Sequence, residues 1–241
     1  MKTDSRPSSP RGEEAIDRKS HRRTLAPLIS WSQSGSPSSR TGHVVSNLVN
    51  LCGAAGAALF WKVSLENFLR THTLIGAAFV AEQLWIVVAY LVHRRAVAVS
   101  DRWGDWLLAT GGTFGGVLFR PTGAHPRWGV EAGLGVQLVG LVLCIASLWA
   151  LGRSFGFAAA DRGLVRRGPY GVVRHPLYAS YVVLQLGYVL QSVSVRNVLV
   201  MVFVSGCNAG RMIAEERVLR GRGTYDGYRA SVRRRVLPGV W

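Results

Sequence analysis

The sequence predicts an all-α, polytopic integral membrane bundle of about six transmembrane helices, the last two forming a helical hairpin. Three observations point there. Of the 241 residues, 49% are hydrophobic, and the mean hydropathy is positive. The apolar residues gather in long runs, close to the roughly 20 residues that span a bilayer. The formal charge of +16 is carried by Arg-rich stretches that alternate with those runs. That is the positive-inside pattern rather than the basic face of a nucleic-acid-binding protein, so membrane lipid is an expected partner and nucleic acid is not.

Residues 1–42 are rich in Ser, Pro and Arg, include Asp4, Glu13, Glu14 and Asp17, and lack the apolar stretch of a signal peptide. They are expected to form a disordered basic cytoplasmic tail, with the membrane domain over 43–241. Six apolar segments follow, at roughly 44–61, 74–92, 106–119, 130–151, 176–193 and 195–214. The third is short and glycine-rich. The fourth carries Gly129, Gly133, Gly135 and Gly140, small residues at near-helical spacing that let helices approach closely in lipid. No strand precedes Gly133-Leu134-Gly135, so these glycines do not make a dinucleotide-binding turn. Only a few residues around Ser194 separate the last two segments, which implies a tight hairpin.

Charge sets the expected orientation. Lys2, Arg6, Arg11, Arg18, Lys19, Arg22, Arg23 and Arg40 precede the first segment, and Arg94, Arg95 and Arg102 follow the second. Arg153, Arg162, Arg166, Arg167 and Arg174 follow the fourth, and Arg217, Arg220, Arg222, Arg229, Arg233, Arg234 and Arg235 follow the sixth. The alternate connections hold Lys62 and Arg70, then Arg120 and Arg127, then Arg196. With six crossings, both termini belong on the cytoplasmic side, of the inner or plasma membrane in a bacterium. Cys52, Cys144 and Cys207 lie inside apolar runs without disulfide or ligand spacing, and the 6 histidines are scattered, so no metal site is expected.

The chain is organised around residues 164–181. Gly168-Pro169 marks a turn; Pro176 drives His175 out of the α region and suits the first position of a helix, which should begin there. Arg174 and His175 then stand just before a helix N-terminus, where an anion is favoured. They serve either a bound anion or membrane topology alone. In the fifth segment Tyr178, Tyr181, Gln185 and Tyr188 share a face that should point into the bundle, as a cavity wall or as packed phenols. In the sixth, Asn208, Arg211 and Glu215 share a face, so Arg211 and Glu215 can pair, in a site or as an exposed ion pair. Glu82, near the middle of the second segment, must be neutral or paired within the bundle.

Several of these residues form ordered motifs. Leu164-Val165-x-x-Gly168-Pro169-Tyr170-x-x-Val173-Arg174-His175-Pro176-x-Tyr178, then Arg211-x-x-x-Glu215-Glu216-x-x-Leu219, Tyr225-x-x-Tyr228 and Leu237-Pro238-Gly239-Val240-Trp241 resemble the isoprenylcysteine carboxyl methyltransferase family, within a wider group that contains phospholipid N-methyltransferases. The resemblance covers 152–241, the motif-bearing core. The chain departs from the family pattern at Arg222-Gly223-Thr224, where an aromatic residue and Gly commonly precede the Tyr-x-x-Tyr motif.

The resemblance implies an enzyme that uses S-adenosyl-L-methionine, bound by the cytoplasmic loop and C-terminal segment rather than by a Rossmann domain, and a lipophilic or prenylated acceptor. It implies cofactor contacts from Leu164, Val165, Gly168, Pro169, Tyr170, Arg174, His175, Pro176, Tyr178, Glu215 and Glu216, with Arg211 and Glu215 as the catalytic pair. The expected reaction is O-methylation of a carboxylate such as that of a prenylcysteine. The alternatives are N-methylation of a phospholipid amine and an NADPH-dependent membrane reductase of the sterol-reductase type, whose C-terminal membrane helices are similar.

Overall fold

The computed structural model describes residues 40–72, 74–94, 96, 98–122, 127–220 and 223–236. The expected tail up to residue 39, Arg222 and the C-terminal motif 237–241 lie outside the described residues. The chain is mostly helical. Its elements are α1 (Arg40–Thr71), α2 (Leu74–Leu91), β1 (Ala98–Val99), α3 (Trp103–Phe114), α4 (Arg127–Leu151), β2 (Ala160–Asp161), α5 (Pro176–Gln191), α6 (Val195–Arg220) and α7 (Thr224–Ser231).

Each apolar segment falls on one helix, α1 to α6 in order. Residues 40–42, expected in the tail, already belong to α1. By length and composition, the stretches Arg127–Ser154 and Val195–Arg220 are long and apolar enough to cross a membrane; the apolar stretch Gly76–Leu91 is shorter. Apolar side chains point outward as well as inward on the long helices. On α6, Val200 and Val204 are buried while Leu199, Val202 and Phe203 are exposed; on α4, Leu138, Val142 and Trp149 are exposed. So much outward apolar surface suits lipid rather than water.

Small residues decide the packing. A Cβ on Gly187 of α5 would lie 2.6 Å from the backbone N of Gln137, and one on Gly133 of α4 would lie 2.6 Å from the carbonyl O of Gly187. A Cβ on Gly140 would lie 2.8 Å from Leu184 N, whereas one on Gly135 would meet nothing. Three glycines thus let α4 and α5 touch backbone to backbone, and the fourth faces away. The glycine-rich third segment is explained in the same way: Gly111 packs on Cys207 and Gly115 on Val204, which seats α3 and the short 3-10 turn after it on α6.

The hairpin is closed by Asn197, which is fully buried. Its Nδ2 donates to Ser192 O (2.7 Å) and Arg120 O (2.8 Å), and its backbone N donates to Ser194 Oγ (3.1 Å). One departure from an all-α chain is a two-residue antiparallel ladder, Ala98 opposite Asp161 and Val99 opposite Ala160. It pairs backbone groups of two irregular connections, the one between α2 and α3 and the one between α4 and α5. Through it the segment after α2 holds the loop between α4 and α5.

Candidate active site

Pro176 opens α5, and His175 before it takes φ −131° and ψ 59°, outside the helical region, as its proline neighbour dictates. Gly168, at φ +60°, begins a 3-10 turn with Pro169, and the N–H groups of Val172 and Val173 both donate to Pro169 O at 3.1 Å. The C-terminal segment lies alongside: Arg174 N donates to Arg234 O (2.9 Å), His175 N to Arg235 O (2.8 Å), and Tyr228 Oη to Tyr170 O (2.7 Å). Loop and C-terminal segment form one layer over the ends of α5 and α6. Burial raises the pKa of Tyr170, and that of Tyr228 to about 12, so both phenols stay protonated and can donate.

The anion held at the start of α5 is the protein's own. Glu216 is buried at the end of α6, with Oε1 3.2 Å from both Arg174 Nε and His175 Nε2. Its Oε2 is 3.2 Å from Arg235 Nη2 and 3.8 Å from Arg220 Nη2. A carboxylate this deep must be paired, and here one carboxylate ties together the loop, α6 and the C-terminal segment. Arg174 and His175 face it as well as lining the cavity described next.

A second cluster stands one turn earlier on α6. Arg211 is 7% exposed. Its Nε is 3.4 Å from Glu215 Oε1, its Nη2 donates to Gly156 O (2.7 Å), and its guanidinium carbon is 5.9 Å from the centre of the Tyr178 ring. Tyr178 Oη donates to Glu215 Oε1 at 2.6 Å. Arg211 Nη1 also donates to Thr113 Oγ1 on α3 (3.4 Å), so the pair is no solvated surface bridge; α3, α5, α6 and the loop all fix it.

Two cavities meet at Arg211. The loop cavity, about 850 Å³ with its mouth, is lined by Leu164, Val165, Tyr170, Arg174, His175, Tyr178, Arg211 and Glu215 among the expected residues. Gly168, Pro169 and Pro176 shape its backbone without lining it, and Glu216 stands behind Arg174 and His175. The helix cavity, about 1250 Å³ with its mouth, lies between helices: Phe60, Phe79, Ile86, Phe119 and Leu184 make it apolar, with Glu82, Gln185, Asn208 and Arg211 as polar points. Phe155, Tyr181 and Arg211 line both. The polar face of α5 therefore does face cavities at Tyr178, Tyr181 and Gln185, while Tyr188 packs against Phe119. Glu82, expected to be neutral or paired, accepts hydrogen bonds from Gln83 Nε2 (3.1 Å) and from the Cys144 thiol (3.4 Å).

Sequence reasoning missed Arg162 and Gly156. Arg162, just after β2, is 6% exposed and lines the loop cavity. Its Nη1 donates to Ala158 O (3.2 Å), while Nε and Nη2 have no hydrogen-bond partner. Burial lowers its pKa to about 10, opposed by the carboxylate of Glu215, so it remains a cation at neutral pH. Its guanidinium lies against Gly156, where an added Cβ would collide with it. The available signal was an arginine followed by Gly163, whose φ of +100° turns the chain at once.

Residues 128–222 match the family model described as phospholipid methyltransferase. The matched window contains α4, the loop, α5 and α6, and it is similar to the isoprenylcysteine and phospholipid methyltransferase group that the motifs resemble. No curated protein matches the chain. The match and the long apolar helices together support a membrane-associated methyltransferase.

Proposed function

We propose that the protein transfers the methyl group of S-adenosyl-L-methionine to a carboxylate on a lipophilic acceptor, such as that of a prenylcysteine. The reading includes six membrane crossings with both termini on the cytoplasmic side, supported by the alternation of Arg-rich and Arg-poor connections. The observation that carries it is the position of Arg211, on the wall of the loop cavity and of the helix cavity at once. A water-soluble donor and a lipid-soluble acceptor need two entrances to one point.

The residues of the loop cavity fit the cofactor. Tyr170, Tyr178 and Tyr181 offer aromatic walls to a purine and a sulfonium cation, Glu215 offers negative charge, and Arg162 offers guanidinium nitrogens without a partner. Leu164, Val165, Tyr170, Arg174, His175 and Tyr178 would hold it, with Glu216 locking Arg174 and His175 in place. When bound, S-adenosyl-L-methionine supplies an electrophilic methyl group on sulfur. The protein's part is positioning and exclusion of water. Arg211 presents a planar pair of donors suited to a carboxylate, and Glu215 and Gly156 O hold that guanidinium in one orientation. Phe155 and Tyr181, on both walls, make the junction beside Arg211 aromatic.

A second reading, N-methylation of a phospholipid amine, is favoured by Glu82, a carboxylate on the helix-cavity wall that would attract a cationic or donor headgroup, and by the description of the matched family. Membranes with and without the expressed protein, supplied with methyl-labelled cofactor and fractionated into protein, lipid and small-thiol products, test both. Base-labile label in prenylated protein or a prenylcysteine supports the first; base-stable label in phospholipid replaces it with the second. No transfer to any fraction contradicts both.

A further inference from the structure

We infer that Arg162 is the carboxylate subsite of the loop cavity and receives the amino-acid carboxylate of the cofactor. The inference rests on the proposed function and adds a residue that the family motifs do not contain. Its basis is a charge imbalance. Among the described residues lining the loop cavity, Glu215 is the one carboxylate, and it faces Arg211 and Tyr178. Glu216 already holds Arg174, His175, Arg220 and Arg235, and Asp161, next to Arg162 in the chain, accepts from Gly163 N instead. Arg162 is thus a buried guanidinium with two unpartnered nitrogens, Nε and Nη2, and no ion-paired carboxylate. A buried charge in that state is expensive unless a ligand completes it.

The adjacent Nε and Nη2 are the edge of a guanidinium that grips a carboxylate through two parallel hydrogen bonds. The backbone holds that guanidinium at the cavity wall: Gly156 leaves room for the planar group, Ala158 O accepts from Nη1, and Gly163 turns the chain after it. A carboxylate at this point has two sources, the amino-acid end of the cofactor and the acceptor. Arg162 lines the loop cavity and is absent from the wall of the helix cavity, whereas Arg211 lines both. The division of labour follows: Arg162 takes the carboxylate of the cofactor, and Arg211 faces the acceptor.

The test is calorimetry on the full chain in nanodiscs, with S-adenosylhomocysteine and its carboxyl methyl ester as paired probes. Wild type should bind the free acid at least tenfold more tightly than the ester. Arg162→Gln should lose that preference by weakening the acid alone, and Arg162→Lys, which keeps charge and stem but not the fork, should fall between. If Arg162→Gln does not fold, the Lys variant carries the same comparison. Full discrimination in the variants, equal weakening of both probes, or unchanged cofactor affinity with a raised acceptor KM each overturns the assignment while leaving the methyltransferase reading standing. Failure of wild type to bind either probe removes that reading and this inference with it.

Discussion

Tyr178 and Glu215 are joined across the two motif-bearing helices: the phenol of Tyr178 on α5 donates a 2.6 Å hydrogen bond to Glu215 Oε1 on α6. The same oxygen is 3.4 Å from Arg211 Nε, so one carboxylate oxygen aligns a phenol and a guanidinium at the junction of two cavities. Tyr178→Phe removes the donor and keeps the ring. A hydrogen bond to a charged group is worth roughly 1–2 kcal/mol here, so turnover should fall about five- to thirtyfold with a cooperative thermal melt retained. Steady-state kinetics beside a thermal melt checks both.

Arg211→Lys keeps a charge but loses the planar fork that reaches Glu215, Gly156 O and Thr113 together. Turnover should drop at least tenfold, roughly 1.4 kcal/mol of barrier, with cofactor affinity changed much less. Glu215→Gln should harm both. Near-wild-type kinetics in both variants would show that the buried pair only holds helices together and takes no part in turnover.

Removing the charge of Glu216 leaves Arg174 and Arg235 buried or half-buried around a neutral amide. Glu216→Gln should destabilise the protein by about 3 kcal/mol, visible as a lowered melting temperature in detergent, and should loosen the loop. Arg220→Gln is the control. Its side chain is 48% exposed and its contact is 3.8 Å, so its effect should stay under about 1 kcal/mol.

The α4–α5 contact gives a prediction independent of chemistry. Gly187→Val would push a side chain onto Gln137 and the Gly133 carbonyl, and overpacking of this kind costs about 1–3 kcal/mol or more where backbone must move. Gly135→Ala meets open space and should be neutral or slightly stabilising. Melting temperatures of the two variants should separate clearly; equal values would mean that α4 and α5 do not pack through these glycines.

The helices were legible because hydropathy and local chemistry agree: Pro176 marks the start of α5, and the shortage of residues around Ser194 dictates the hairpin. The pairing of Arg211 with Glu215 was legible for the same local reason, a four-residue spacing on one helix. What the sequence did not reveal is non-local. The partners of Glu216 come from the loop, α6 and the C-terminal segment, so an arginine that looked free for a ligand, Arg174, is also bound to a carboxylate 42 positions away. Arg162 lies in an irregular stretch whose place depends on a two-residue ladder with β1, a contact that no periodicity announces. The glycines that make the third segment unusual in sequence are the ones that seat α3 on α6, a purpose visible only once α6 is in place.

The central claim, that the loop cavity is an S-adenosyl-L-methionine site, is tested most directly by titrating the purified full chain in nanodiscs with S-adenosylhomocysteine and, in parallel, with NADPH. The account predicts saturable, one-site binding of S-adenosylhomocysteine, weakened by His175→Ala without loss of the folded state, and no binding of NADPH. Saturable binding of NADPH with none of S-adenosylhomocysteine would contradict it and point to a reductase.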